Sequence, residues 1–399
     1  MVSADRNAPR PATSLPHRFG FWIKPALLIV SLLLTGLAIE TTMRVVGVKP
    51  QTATVLSTYF EFDAQTGWRG KPHAASRFAT TNFDVFISHD ADGFRSCGYE
   101  RPIADDAGAE HRVVWILGDS GTWGWGVDDG RTYVDLLNRM STDGTRYRNL
   151  GHCGFSSLQE YLLLKDLFGR GRKPHEVVVL YCGNDLAENI DGVDQRPPRA
   201  YFHVAGDAVE LRNHPTHKAG WGLSTWLKNH SLAWNHAHFY ATRLKQRMKD
   251  EKMRTTPPTP TAARGPQQAE SRQFMKSTSS QLSEHATAEQ LTALRYVYRQ
   301  MNELCRAHGV KLYVVNDGPP VVPAVCDEAG IAWFDLSRRW SEYYASPQAT
   351  EAWCFPTDPH FNELGHRLIA EGMHGELARL RSAASNDTAA KPEASAKPR

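Results

Sequence analysis

The stretch Val113-Val114-Trp115-Ile116-Leu117-Gly118-Asp119-Ser120-Gly121 joins five consecutive apolar residues to a serine set between glycines. An apolar run of that length, bounded by turn residues, reads as a strand covered on both faces, which is the habit of parallel sheets. A serine just past its end stands at the carboxyl edge of the sheet, where open α/β sheets carry their chemistry. Downstream the alternation continues. Residues 133–140 read as a helix and 147–150 as a second strand. Ser157 with Glu160 makes a capping-box pattern ahead of a leucine-rich helix over 158–168. Residues 177–181 form a third strand, and Thr287 with Gln290 opens a helix reaching about His308. Residues 311–316 and 331–335 are the fourth and fifth strands, and Asn362 caps a last helix ending near Arg381. Strands alternating with helices in this way predict a three-layer α/β/α sandwich around a parallel five-stranded sheet.

The chain has 399 residues, 41% of them apolar, enough for one large domain or two ordinary ones. Its 46 basic and 43 acidic residues nearly balance, and no Lys/Arg stripe points to nucleic acid. Six cysteines (97, 153, 182, 305, 326, 354) lack zinc-type spacing; in an exported domain, Cys326 with Cys354 is the first pairing to expect. Residues 19–40 form an apolar segment about long enough to span a bilayer, preceded by Arg6, Arg10, Arg18 and with Lys24 near its start. The positive-inside tendency leaves residues 1–18 cytoplasmic and exports the rest, with 19–40 as an uncleaved signal-anchor; cleavage after Ala38 is the neighbouring alternative. Residues 50–110 read as a small β-rich collar and 111–383 as the catalytic domain. That domain is interrupted by a His-, Trp- and Asn-rich insertion (187–245) and a polar linker (250–285), and a disordered tail follows from 384 to 399.

A serine hydroxyl needs a base within hydrogen-bond reach and a third group to orient that base. His360, just before the last helix, is the candidate base, and Asp358, two residues earlier, would hold its tautomer; Asp358 is equally a cap for that helix. His366 competes as base, but its place inside the helix reads as packing. Acyl transfer also needs donors for the oxyanion. The backbone N–H groups of Ser120 and Gly151 and the side-chain amide of Asn184 all follow strand ends, although Gly151 is also a plain turn glycine and Asn184 a plain N-cap. Asp119 reads as a carboxylate that holds its loop. Trp123 and Trp125 are candidates for a sugar-binding platform, against ordinary core filling. Cys153 and Cys182 read as packed thiols. Histidines 203, 214, 217, 230, 236 and 238 match no tight ligand set, so neither metal nor cofactor is expected.

Gly118-Asp119-Ser120, Gly151, Gly183-Asn184-Asp185 and Asp358-Pro359-His360, in this order, resemble the four blocks of the SGNH (GDSL-type) hydrolase family. The surrounding GDSGTWGWGV, NLGHCGFSSLQEYLLL, VVVLYCGNDLAEN and DPHFNELGHRLIAE are similar to its bacterial membrane-anchored members, over about residues 111–383 outside the insertion and linker. The resemblance implies a flavodoxin-like sheet, Ser120 as nucleophile, His360 as base, and an oxyanion hole from Ser120, Gly151 and Asn184. One departure stands out: many members place the Asp three residues before the His, and here the spacing is two, as in polysaccharide O-acetyltransferase branches and some hydrolase-like relatives. The expectation is a serine-dependent ester hydrolase or O-acyltransferase acting on acylated cell-envelope or secreted carbohydrate. A lipid-directed lipase or lysophospholipase, and a non-enzymatic envelope scaffold, are the alternatives.

Overall fold

The computed structural model describes residues 18–389 apart from 52–55, 100, 191–198, 218–222, 254–285, 318–320, 348 and 350. Helix α1 (Arg18–Val45) comes first; its segment Ile23–Val45 is long and apolar enough to cross a membrane, and every side chain from Ile23 to Ile39 is exposed. A short α2 (Leu56–Tyr59) leads into two antiparallel hairpins, β1 (Phe60–Asp63) with β2 (Gly67–Gly70) and β3 (Ala75–Ala79) with β4 (Asp84–Ser88). Then follow β5 (Val113–Leu117), α3 (Ser120–Trp123), α4 (Tyr133–Met140), β6 (Arg146–Asn149), α5 (Ser157–Gly169), β7 (Glu176–Leu180) and α6 (Asp185–Glu188). A hairpin of β8 (Tyr201–Ala205) and β9 (Ala208–Arg212) and the helices α7 (Leu223–His230) and α8 (Leu232–Met253) lie within the region 187–253. The chain closes with α9 (Ala288–Ala307), β10 (Lys311–Asn316), α10 (Val321–Ala329), β11 (Ala332–Asp335), α11 (Ser337–Ala345) and α12 (Glu363–Ala389).

The main sheet runs β11-β10-β7-β5-β6, all parallel. The order puts the chain's first sheet strand inside its second and then runs outward, which is the flavodoxin-like order with its switch point at β5 and β7. Every residue of β5 and β7 is buried, as a sheet covered on both faces requires. Packed helices supply that cover: α12 lies on α4 and α11, while α9 lies on α5, α6 and α10.

Element ends differ from the sequence reading in physically clear ways. The capping box of α5 is Ser156 with Gln159, one residue earlier than expected, and Glu160 turns into the core at 1% exposure. Helix α10 carries an internal proline and a run of valines, and α11 is only nine residues long and mostly polar; neither is among the elements expected from the sequence. Helix α8 runs through the expected start of the linker to Met253, and α12 continues past Arg381 to Ala389. The remainder of the linker and of the tail lies outside the described residues. Cys326 and Cys354 are both buried thiols rather than a disulfide.

The hairpin region is fastened to the sheet by buried ions. Arg148 on β6 bonds Asp106 at 3.0 Å and Asp90 at 3.1 Å, and the indole of Trp115 on β5 donates to Asp106 at 2.7 Å. Arg95 pairs with Asp129 at 3.0 Å, and Asp129 also accepts from the Ser88 N–H on β4 at 3.1 Å. Deleting one partner of such a set leaves a buried charge unmatched, which costs about 3–5 kcal/mol.

Three buried histidines are fixed as neutral acceptors. His89 Nε2 accepts from the Trp123 indole at 2.9 Å, His152 Nε2 from the Gly70 N–H at 3.3 Å, and His366 Nδ1 from the Tyr133 N–H at 3.1 Å. Burial pushes their pKa values down to about 3, about 4 and about 3. An unfolded histidine takes its proton near pH 6.5, so below that pH the unfolded chain gains protons that the folded one refuses. Each such group removes about 1.4 kcal/mol of stability per pH unit as pH falls from about 6.5 toward 4. Buried carboxyls act the other way: burial raises the pKa values of Glu160, Asp185 and Asp317, which hold protons in the folded chain and add stability as pH falls, so the histidine contribution is read from the difference between wild type and a variant lacking one histidine. His89→Gln, which keeps an acceptor but cannot protonate, should lose less of its urea midpoint than wild type, or gain more, between pH 7 and 5; the same pH dependence in both chains contradicts the assignment.

Candidate active site

Strand β5 delivers Ser120 to the carboxyl edge of the sheet through a turn that only glycine can make. Gly118 has φ of +152°, and a Cβ there would lie 2.0 Å from Thr122 Oγ1. Asp119 caps α3, its Oδ1 accepting from the Gly121 N–H at 2.8 Å, so it holds the loop as its position suggested. Ser120 is the first residue of α3, and a helix start leaves that N–H without an intrahelical acceptor. The end of β6 presses on the same turn: Asn149 donates to the Thr122 carbonyl at 2.7 Å, and a Cβ on Gly151 would lie 2.3 Å from Trp123 N.

The loop before α12 brings its two candidates to this serine. Ser120 Oγ lies 2.8 Å from His360 Nε2. His360 Nδ1 bonds Asp358 Oδ1 in turn, and the same oxygen accepts the His360 N–H at 3.0 Å. The two-residue spacing therefore closes an Asx-type turn, in which one carboxylate oxygen fixes both the backbone and the ring of the base. Asp358 does not cap α12; Asn362 does, accepting from the Gly365 N–H at 3.1 Å. Burial acts to raise the Asp358 pKa, but the bonds and charge of His360 and the indole of Trp125 outweigh it, and the carboxyl sits below its usual value.

Trp125 was read as a candidate for a sugar platform, and the structure gives it a second task. Its Nε1 donates to Asp358 Oδ2 at 2.9 Å, and its ring stacks on His360 at 4.8 Å and 20°. The hairpin β3–β4 braces this arrangement. Phe78 and Phe83 meet Trp125 edge-on, and Asn82 Oδ1 accepts from Thr357 N at 3.2 Å and Thr357 Oγ1 at 2.9 Å. The hairpins are thus a wall of the site as well as a link to α1. Nothing in the sequence marks Asn82, because its partner lies 275 residues away; the aromatic spacing around Trp125 was the one available signal.

Trp123 requires a correction. It is fully buried, donates to His89 and packs on Tyr59 and Phe60, so it has no face to offer a sugar. Two oxyanion donors also differ from expectation. The Gly151 N–H donates to Asn149 Oδ1 at 3.0 Å rather than standing open. Asn184 occupies the N-cap position of α6 without a side-chain cap bond, beside the Glu188 carboxylate, whose pKa its side chain helps to lower. Glu188 is also held by Arg199 at 2.9 Å. Burial pushes the thiols of Cys153 and Cys182 well up, so neither supplies a thiolate. His366 packs against the ring of Tyr133 inside α12. Among the described residues no group of three or more His, Cys, Asp or Glu is arranged to hold a metal ion.

No family model matches the chain, and no curated relative does. Solved structures do. One is TesA, at 14% identity over 65% of this chain and 94% of that one, with a TM-score of 0.32. A member of the lipolytic protein G-D-S-L family from Veillonella parvula is similar at 12% identity over 65% and 94%, with a TM-score of 0.33. Axe2, an acetylxylan esterase from Geobacillus stearothermophilus, is similar at 13% identity over 66% and 93%, with a TM-score of 0.30.

The contact between Gly151 and α3 yields a stability prediction. Gly151→Ala forces a methyl group against backbone, and overpacking of this kind costs about 1–3 kcal/mol. The melting temperature should fall by roughly 3–10 °C. An unchanged melting temperature would show that β6 and α3 do not meet as described.

Proposed function

We propose that this chain is an SGNH-type serine esterase or O-acyltransferase, anchored by α1 with its catalytic domain on the exported side of the membrane. The observation that carries the reading is the continuous chain from Ser120 Oγ through both ring nitrogens of His360 to Asp358. Asp358, acceptor to Nδ1–H, leaves the lone pair of Nε2 facing the serine, which is the tautomer a general base needs.

Ser120 Oγ attacks the carbonyl carbon of an ester while His360 Nε2 takes its proton. The carbonyl oxygen becomes an oxyanion near the start of α3, where the Ser120 N–H is directed. Gly151, by exchanging its present partner Asn149 for the oxyanion, and the side-chain amide of Asn184 complete the hole. His360 then protonates the departing alcohol oxygen as the C–O bond breaks, leaving acyl-Ser120. In the second half, water or a sugar hydroxyl attacks the acyl carbon, His360 takes the attacking proton, and it returns that proton to Ser120 Oγ. Asp358 keeps its charge throughout and compensates the imidazolium.

An exported, tethered site and the short Asp358–His360 spacing together favour O-acyl groups on cell-envelope or secreted carbohydrate. The decisive assay incubates the purified chain with p-nitrophenyl acetate, with and without an oligosaccharide acceptor. Wild type is expected to release nitrophenol, and Ser120→Ala to lose roughly a thousandfold or more of that rate. Acetylated oligosaccharide in the products identifies transfer, and its absence identifies hydrolysis. Trp125→Phe keeps the ring but removes the donor to a charged carboxylate, a bond worth about 1.5–3 kcal/mol, so a loss of about tenfold to a hundredfold is predicted. No release of nitrophenol and no acylated acceptor from wild type overturns the reading.

A further inference from the structure

Helices α7 and α8 leave an apolar surface uncovered beside the end of the membrane-length helix. On α8, Trp234, Ala237, Ala241, Leu244 and Met248 recur at spacings of three and four, which puts them on one face of a helix, with Tyr240 at its edge. All six are exposed, Leu244 and Met248 at 60% and Trp234 at 41%. On α7, Leu223 and Trp226 continue the feature at 71% and 52% exposure. Large apolar residues clustered in this way on a surface mark a place where something binds.

The position of α8 says what that partner is. Glu40, near the end of α1, reaches across to the start of α8: its oxygens accept from Leu232 N at 3.0 Å, Ala233 N at 3.1 Å and Ser231 Oγ at 2.9 Å. Arg44 donates to the His230 carbonyl at 2.8 Å, and His236 and Asn235 bond the backbone of Lys49 and Gln51. The start of α8 is therefore clamped to the last turns of α1 and the chain just beyond it. At 1.5 Å per residue, Glu40 lies ~26 Å along the helix from Ile23, close to the far edge of a hydrocarbon core ~30 Å thick. The clamp thus sets the start of α8 at the level of the lipid headgroups. Its composition suits that level. The sequences of α7 and α8 carry six Lys or Arg against two Asp or Glu, with Arg243 exposed on the far side of α8 and Lys245 exposed at the border of the apolar stripe. Tryptophan and tyrosine with flanking basic residues are what an interfacial helix presents.

We infer that α7 and α8 lie on the exported face of the membrane, with Trp226, Trp234, Leu244 and Met248 inserted among anionic lipid headgroups. The juxtaposition of an unpartnered apolar stripe with the end of the α1 span carries this inference. It rests on α1 crossing the bilayer and is independent of the chemistry at Ser120. Its consequence is that the catalytic domain is held at two points and does not swing freely on α1.

The full chain is reconstituted into nanodiscs of phosphatidylcholine and phosphatidylglycerol, with plain or brominated acyl chains, and quenching of tryptophan emission is measured. Alkaline carbonate extraction reads the span separately. With the wild-type chain retained in the membrane pellet, the double variant Trp226→Phe with Trp234→Phe should lose about half or more of the quenched emission. Leu244→Glu with Met248→Glu changes only exposed positions, and should lower quenching at Trp234 while leaving the melting temperature unaltered. Equal quenching in the wild type and the tryptophan variant, from chains that both stay in the pellet, overturns the inference. So does a cross-linked dimer through the stripe without quenching, which would make a second copy its occupant.

Discussion

The carboxylate of Asp358 is the joint on which the site depends. One oxygen takes both the ring and the backbone of His360, and the other takes the indole of Trp125. Three donors converge on one small group, so the imidazole is fixed in place, tautomer and charge environment together. Such convergence keeps the carboxyl ionised although it is largely shielded from water. The 2.8 Å separation between Ser120 and His360 is the result of that fixing as much as of the position of the serine.

This joint is braced from a distance. The tip and strands of β3–β4 hold it through Asn82, Phe78 and Phe83, and the same hairpin region is fastened to β5 and β6 by the buried Arg148, Asp90 and Asp106 set. The base comes from a loop 240 residues beyond the nucleophile, and packing from yet another part of the chain controls it. On the opposite side of Ser120, the Gly151 N–H is held by Asn149, so the proposed oxyanion role of Gly151 requires that bond to be exchanged.

The strand-and-helix alternation was legible because each sheet strand is a short apolar run, and such runs follow from burial on both faces alone. Residues 113–117 and 311–316 match their strands to the residue. The four motif blocks were legible because turns at strand ends demand particular residues, as Gly118 does. What stayed hidden was non-local. Nothing in the sequence around Trp123 and Trp125 distinguishes a ring sealed against His89 from one aimed at Asp358, since the difference arises from where residues 59–89 fold back. The Gly151 N–H looked open because its acceptor, Asn149, is a side chain whose rotamer the sequence does not encode. Helices α10 and α11 are short, nine residues each, which leaves a periodic pattern little room to stand out, and α10 also carries an internal proline.

The proposed activation of Ser120 by His360 is the step on which catalysis turns. It is tested most directly by following covalent modification of the intact chain with a small fluorophosphonate, by mass and by peptide mapping. The account predicts one adduct, on Ser120, forming about a hundredfold or more slowly in His360→Ala. An adduct on another residue, or a rate indifferent to His360, would contradict it.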